Sequence, residues 1–249
     1  MDIRIFDNEQ AVARALAERL ADAIRTTPEL VLGLPTGRTP VATYGELRRL
    51  HREQGLSFQG VSTFNLDEFV GVDAGHPGSF RQFMQRHLFA GVDLRPERIH
   101  FLDGMAPDLE AECARYERAI AGAGGLDLQL LGIGANGHIG FNEPAEALVA
   151  STHRVALHAA TRRDNAALFG GDVERVPREA LSMGMGTILK ARRLILIATG
   201  DRKARCVERM VHGPLTTRLP ASFLQLHRDV EVFLDRGAAS HLGGRLSGE

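Results

Sequence analysis

Short apolar runs rich in Val, Ile and Leu alternate along the chain with longer segments of helical spacing, and this alternation limits the fold more than any other feature. The runs are Leu30 to Leu34, Val61 to Asn65, Ile99 to Leu102, Leu126 to Ile133, Leu194 to Ala198 and Val230 to Leu234. Helical spacing covers Glu9 to Ile24, Val41 to Gln54, Ser79 to Phe89, Asp108 to Ala121, Arg163 to Phe169 and Arg202 to His212. Strands separated by helices pair in parallel, because a parallel neighbour is reached only by a crossover. The pattern therefore predicts an α/β fold with a mainly parallel sheet. Asp108 follows Pro107 and precedes Leu109-Glu110-Ala111-Glu112, which reads as an N-cap with acidic residues in the first turn.

No linker, repeat or low-complexity block divides the 249 residues, so one domain over 1–249 is expected. Its last stretch, 237–249, is glycine-rich and short of core-forming residues, and is expected to be a loosely held tail. The 30 basic and 31 acidic residues are interspersed, which argues against nucleic acid or an anionic membrane as partner and for a small metabolite. No apolar run approaches the ~20 residues of a membrane span, and the N-terminus lacks a signal pattern, so a cytoplasmic protein is expected. Cys113 and Cys206 lie in separate helical segments and read as free thiols.

Four polar or glycine-rich segments follow directly after strands. Ligands of open parallel sheets bind beyond the carboxyl ends of the strands, so the four can share one crevice. The first, LGLPTGRTP, offers Thr36, Gly37, Arg38 and Thr39 as a phosphate cradle. Glycine permits close approach, the threonines add hydroxyl donors, and a helix starting at Val41 aims free N–H groups at the same spot. It is neither a Walker A loop nor a dinucleotide fingerprint, and alone it reads equally well as an ordinary strand-to-helix turn. The second, TFNLDEFVG, places Asp67 and Glu68 side by side. A carboxylate held partly out of water next to another can act as a general base on carbon, provided its neighbour faces the scaffold. A helix cap or surface ion pair is the commoner fate of such a pair.

The third segment, LLGIGANGHIGFNEP, holds four glycines within nine residues and sets His138 and Glu143 beside Gly134 and Asn136. A carboxylate near an imidazole fixes its tautomer and suits it to proton transfer at sugar oxygens. No third ligand stands at familiar spacing, so no metal is expected. The fourth, ATGDRKA, puts Lys203 in the first turn of a helix, against the dipole unless an anion sits between them. Lys203 is thus a candidate phosphate ligand, with a solvated lysine as the plain alternative.

At these residues the sequence resembles the glucosamine-6-phosphate deaminase family. The resemblance runs through LGLPTGRTP, TFNLDEFVG with HPGSF, LLGIGANGHIGFNEP, TRRDN, VPREALSMGMGTIL, ATGDRKA and PASFLQLH, from near residue 30 to near residue 227. It implies an open three-layer α/β sandwich with a mainly parallel, Rossmann-like sheet, shared with the 6-phosphogluconolactonases. It further implies that Asp67 carries a proton from C2 to C1 of the substrate. His138 would open the pyranose ring with Glu143 orienting it, while Thr36, Gly37, Thr39 and Lys203 hold the phosphate. In family terms an enolamine forms, water displaces ammonia at C2, and neither metal nor organic cofactor takes part. An amino sugar phosphate is the implied partner, and a homo-oligomer is compatible with the sequence.

The chain departs from the family pattern in three ways. Asn136 stands where some members have Asp. Ala167 stands where members present an arginine to the phosphate, and Arg38 lies in the cradle where Gly or Ser is usual, so Arg38 is expected to supply the missing cation. His153, Val155 and Ala156 do not match the basic set that binds N-acetylglucosamine 6-phosphate in allosteric members, so activation by that compound is not expected. Ala167 also leaves open a deaminase for a different amino sugar. A lactone hydrolase of the same fold and a non-catalytic sugar-phosphate sensor are the readings from other classes.

Overall fold

The computed structural model describes residues 1–243. Its strands are β1 (Asp2–Phe6), β2 (Val31–Leu34), β3 (Ser62–Asn65), β4 (Asp67–Phe69), β5 (Ile99–His100), β6 (Leu128–Gly132), β7 (His153–Ala156), β8 (Glu179–Ser182), β9 (Arg193–Ala198) and β10 (Val230–Asp235). The helices are α1 (Glu9–Thr26), α2 (Val41–Gln54), α3 (Phe80–His87), α4 (Leu109–Gly122), α5 (Ala159–Asn165), α6 (Met185–Leu189) and α7 (Ala204–His212). Seven strands form one sheet in the order β1-β10-β9-β6-β2-β3-β5, every pairing parallel. Helices pack on both faces. Leu32, Leu34, Leu128, Leu130, Ile195 and Ile197 meet α1 and α2, whereas Val31, Leu131, Leu194 and Leu196 meet α4 and α7. Strands buried on both faces must be apolar throughout, which explains why their sequences read as unbroken runs.

All six expected runs supply strands of this sheet, although the third is only Ile99–His100. β1 was not expected. Its sequence, Asp-Ile-Arg-Ile-Phe, alternates polar and apolar residues because it is an edge strand with most of its side chains exposed. Nor was the second sheet, the antiparallel set β4-β8-β7. The helix expected over Arg163 to Phe169 is instead α5, which starts at Ala159, followed by a 3-10 turn over Ala166–Phe169 that closes at Gly170 with φ 73°. Asp108 caps α4, accepting from Glu110 N–H (3.0 Å) and Ala111 N–H (2.9 Å). The loosely held tail does not begin at residue 237. Ala238, Ala239 and Leu242 are buried in the core beneath β10, and the rest of that expected tail, residues 244–249, lies outside the described residues. Among the described residues no helix is long and apolar enough to cross a membrane.

The strand order reverses between β2 and β6. From β2 the chain proceeds outward to β3 and β5, and from β6 it proceeds the opposite way to β9 and β10. The crevice outside the carboxyl ends of these two neighbours is the switch point, where such sheets bind ligands.

Candidate active site

The turn after β2 forms one wall of the crevice. Gly37 has φ 99°, a left-handed conformation that a side chain disfavours, and it leads into α2, whose first turn has no side-chain cap. Beneath this turn the Tyr44 hydroxyl donates to the Pro35 carbonyl and fixes its height. Thr36 and Thr39 are half-buried and Arg38 is exposed. The turn after β9 faces them. Lys203 ends a 3-10 turn over Asp201–Lys203, and its ammonium donates to the Ile133 carbonyl at 2.7 Å, just beyond the end of β6. β6 neighbours β2, so this bond carries the lysine to the cradle. Burial lowers the Lys203 pKa; Cys206 and Asp164 oppose the shift and the charge of Arg38 adds to it. Asp235, at the end of β10, anchors the same turn by accepting from Gly200 N–H at 3.0 Å.

Asp67 and Glu68 have opposite surroundings, as alternation along a strand requires. Glu68 faces the scaffold. It accepts from the Ser79 hydroxyl (2.9 Å) and from the backbone N–H groups of Phe80 (3.1 Å) and Arg81 (3.1 Å), so it caps α3 alongside Ser79 itself. Asp67 is 6% exposed, and its Oδ1 has no hydrogen-bond partner. Desolvation, helped by the charge of Glu68, raises its pKa from 3.8 to about 8. Such a group holds or releases a proton near neutrality.

The loop after β6 positions the imidazole. Asn136 Nδ2 donates to Glu143 Oε2 at 2.8 Å, and Asn136 Oδ1 faces His138 Nδ1 at 2.7 Å. A carboxylate can only accept, which fixes the amide orientation; the amide oxygen then requires the hydrogen of His138 on Nδ1. In the neutral form of the ring, Nε2 is then the nitrogen that carries the lone pair. Glu143 is buried, and burial alone would raise its pKa. Hydrogen bonding and charge from His138, with hydrogen bonds from Thr161 and Asn136, outweigh this and hold it at about 2. His158 Nδ1 lies 3.5 Å from the same oxygen, matching His138. Gly134 lies under the imidazole: a Cβ there would sit 2.2 Å from His138 Cε1.

The loop and Asp67 meet. A Cβ built on Gly140, two residues from His138, would lie 3.7 Å from Asp67 Oδ2 and 3.1 Å from Ser182 Oγ. Phe141 N–H donates to that Ser182 hydroxyl at 3.1 Å, and Ser182 is the β8 residue opposite Asp67. The turns bearing Thr36, Asp67, His138 and Lys203 therefore converge at one end of the sheet. Ala167 lies exposed in the 3-10 turn after α5. Thr161, His158, Ser182 and Tyr44 were not singled out from sequence, since each contributes one polar atom and none stands in a chemical motif of its own. Among the described residues no cluster of three or more His, Cys, Asp or Glu is spaced to hold a metal ion.

A switch-point crevice with a polar cradle at one end and a buried carboxylate and directed imidazole at the other defines an α/β enzyme for a small anionic metabolite. A family model for glucosamine-6-phosphate isomerases/6-phosphogluconolactonase matches residues 7–233, and the chain belongs to that family. It is 48% identical over 223 residues to glucosamine-6-phosphate deaminase 1 of Giardia intestinalis, covering 90% of this chain and 84% of that one. It is 47% identical over 242 residues to the glucosamine-6-phosphate deaminase of Cellvibrio japonicus, covering 97% and 92%. A structure described as a monomeric glucosamine-6-phosphate deaminase superposes with TM-score 0.94 at 43% identity, covering 97% of this chain and 100% of its own. The 6-phosphogluconolactonase from Trypanosoma cruzi superposes at TM-score 0.77 with 20% identity over 99% of this chain and 97% of its own, a likeness of fold.

Proposed function

We propose that the chain is a glucosamine-6-phosphate deaminase, converting glucosamine 6-phosphate and water to fructose 6-phosphate and ammonia. One observation carries the reading. A carboxylic acid with its pKa raised to about 8 lies against the loop whose imidazole has Nδ1 committed to Asn136 and Nε2 free. Isomerisation of a cyclic amino sugar needs these two groups, one for the ring oxygen and one for carbon.

In this scheme His138 Nε2 takes the proton of the anomeric hydroxyl and returns it to the ring oxygen, giving the open aldehyde. Glu143, acting through Asn136, holds the ring in that tautomer. Ionised Asp67 then removes the C2 proton, yielding an enolamine, and delivers the same proton to C1. The resulting C2 iminium adds water and expels ammonia. Thr36, Gly37, Thr39 and Lys203 bind the phosphate, with the N-terminus of α2 directed at it. The scheme draws on no metal or organic cofactor.

The similar solved glucosamine-6-phosphate deaminase is described as monomeric, which favours a working monomer over an obligate homo-oligomer, with residues 1–249 acting as one domain. A cytoplasmic place fits an enzyme whose substrate is a phosphorylated sugar. Ammonia release measured across glucosamine 6-phosphate, glucosamine, galactosamine 6-phosphate and glucosaminate 6-phosphate tests the assignment. Release from the first, abolished in Asp67→Asn, is the expected result. Hydrolysis of a 6-phosphogluconolactone without ammonia release from any of the four would overturn it.

A further inference from the structure

Glu143 is a buried carboxylate held in its ionised form, yet among the described residues no arginine or lysine lies within 4 Å of it. The only neighbours at that range able to carry positive charge are two imidazoles, His138 and His158, each with Nδ1 3.5 Å from the same atom, Oε2. Oε2 also accepts from the Asn136 amide, and Oε1 accepts from the Thr161 hydroxyl. One carboxylate charge offsets one imidazolium. A second imidazolium at the same oxygen meets the first with no counter-charge of its own.

His158 reaches this place from α5. It is the N-cap residue of that helix, yet its side chain makes no capping bond and its ring is turned to Glu143 instead. Thr161, three residues on, reaches the other carboxylate oxygen, so α5 makes two contacts with one side chain. Glu143 is the only carboxylate within 4 Å of His158 among the described residues. The other charged groups at this end of α5 are engaged elsewhere: Arg162, and Arg178, whose carbonyl accepts from Leu157 N–H, both face Glu174, at 3.7 and 3.9 Å. The His158 side chain is 53% exposed and that of His138 21%, so His158 is the more open to solvent protons.

We propose that His158 is a positioning residue that shares Glu143 with His138 and, by taking a proton from solvent, holds the His138 ring in the neutral form that a ring-opening base requires. The two Nδ1 atoms lie no more than about 7 Å apart across the shared oxygen, where a charge on one ring lowers the proton affinity of the other by about three-fold at the screening of bulk water and about fifty-fold at that of a protein surface. Histidine suits the exchange because its ordinary titration falls near neutrality. This rests on reading His138 as the ring-opening base, and it adds the residue that keeps that base uncharged.

An NMR titration of the His138 ring in the full chain tests it, with the signals assigned by their absence from His138→Gln. Wild type is compared with His158→Gln, which carries no charge, and with His158→Arg, which carries one at every pH. The His138 midpoint should be highest in His158→Gln, and proton affinity about three- to fifty-fold lower in His158→Arg, with wild type between them or at the arginine value. A ring that served only to dock α5 would be lost from both variants alike and would shift both midpoints in the same direction. Equal midpoints in the two variants, or the reverse order, would overturn the proposal. So would a wild type matching His158→Gln, since His158 would then be uncharged when His138 titrates. The titration needs no catalysis, so ammonia release with indifferent midpoints refutes this inference alone, and midpoints in the expected order without ammonia release refute only the deaminase assignment.

Discussion

Asn136 stands between His138 and Glu143, donating to the carboxylate at 2.8 Å and facing the imidazole with its oxygen at 2.7 Å. An aspartate in its place would set two carboxylates in contact, and such a pair retains a proton that neither would hold alone. Asn136→Asp should therefore add a new ionisation to the pH–rate profile, while Asn136→Ala, which breaks the connection to Glu143, should lower kcat by about 10- to 100-fold. The measurement is kcat against pH for both variants. An unchanged profile in Asn136→Asp would take this residue out of the proton network.

Gly134 is required for a steric reason that glycine content alone does not reveal. The backbone there is not left-handed, so alanine fits locally, but its methyl would lie 2.2 Å from His138 Cε1 and 2.3 Å from Nδ1. The ring must shift by about 1 Å, and displacements of that size cost on the order of 100-fold in rate. Gly134→Ala is expected to keep the wild-type melting temperature within a few degrees and lose activity on that scale. Full activity in this variant would show that the ring has slack the structure does not indicate.

Asp67 should cost the fold stability in return for reactivity. Its pKa is 3.8 in the unfolded chain and about 8 when folded, so between those values the folded chain keeps a proton that the unfolded chain has lost. The stability linked to that proton is full below 3.8, declines as pH rises and is gone above about 8. Asp67→Asn escapes the loss. Its unfolding free energy relative to wild type should improve by on the order of 4 kcal/mol between about pH 5 and about pH 8, while activity disappears. Denaturant titrations at the two pH values would show it, and a difference independent of pH would contradict the buried-acid account.

The central sheet is legible in the sequence because its strands are buried on both faces. Leu194 to Ala198 packs Leu194 and Leu196 against one helical layer and Ile195 and Ile197 against the other, leaving an apolar run with nothing polar to hide it. β1 escapes this logic at the edge, where Asp2 and Arg4 are exposed. The small antiparallel sheet escapes it for another reason: β4, β7 and β8 are three or four residues long, and Asp67 pairs with Ser182, far away in the chain. At the candidate site, the motifs mark which residues are candidates for the chemistry but not which way they face. That Asp67 rather than Glu68 lines the crevice follows from where α3 begins, since Ser79, Phe80 and Arg81 direct their donors at Glu68. Likewise Glu143 is locked by Thr161, a partner visible only once α5 is docked.

The Asp67–Glu68 contact gives a prediction in which a residue facing away from the crevice tunes the base within it. Desolvation is the main reason the Asp67 pKa stands at about 8, and the Glu68 charge adds to it. Glu68→Gln removes that charge and keeps an oxygen to accept from α3, so stability should fall by about 1–2 kcal/mol, the loss of charge-assisted bonds to the helix N-terminus. With the neighbouring charge gone, Asp67 ionises at lower pH, and the base form is populated earlier as pH rises. The limb of kcat/KM expected to climb toward pH 8 in the wild type should move to lower pH in Glu68→Gln, with the plateau little altered. A limb that stays in place would mean the base seen in the kinetics is not Asp67, because a purely structural role for Glu68 would lower the plateau without moving the limb.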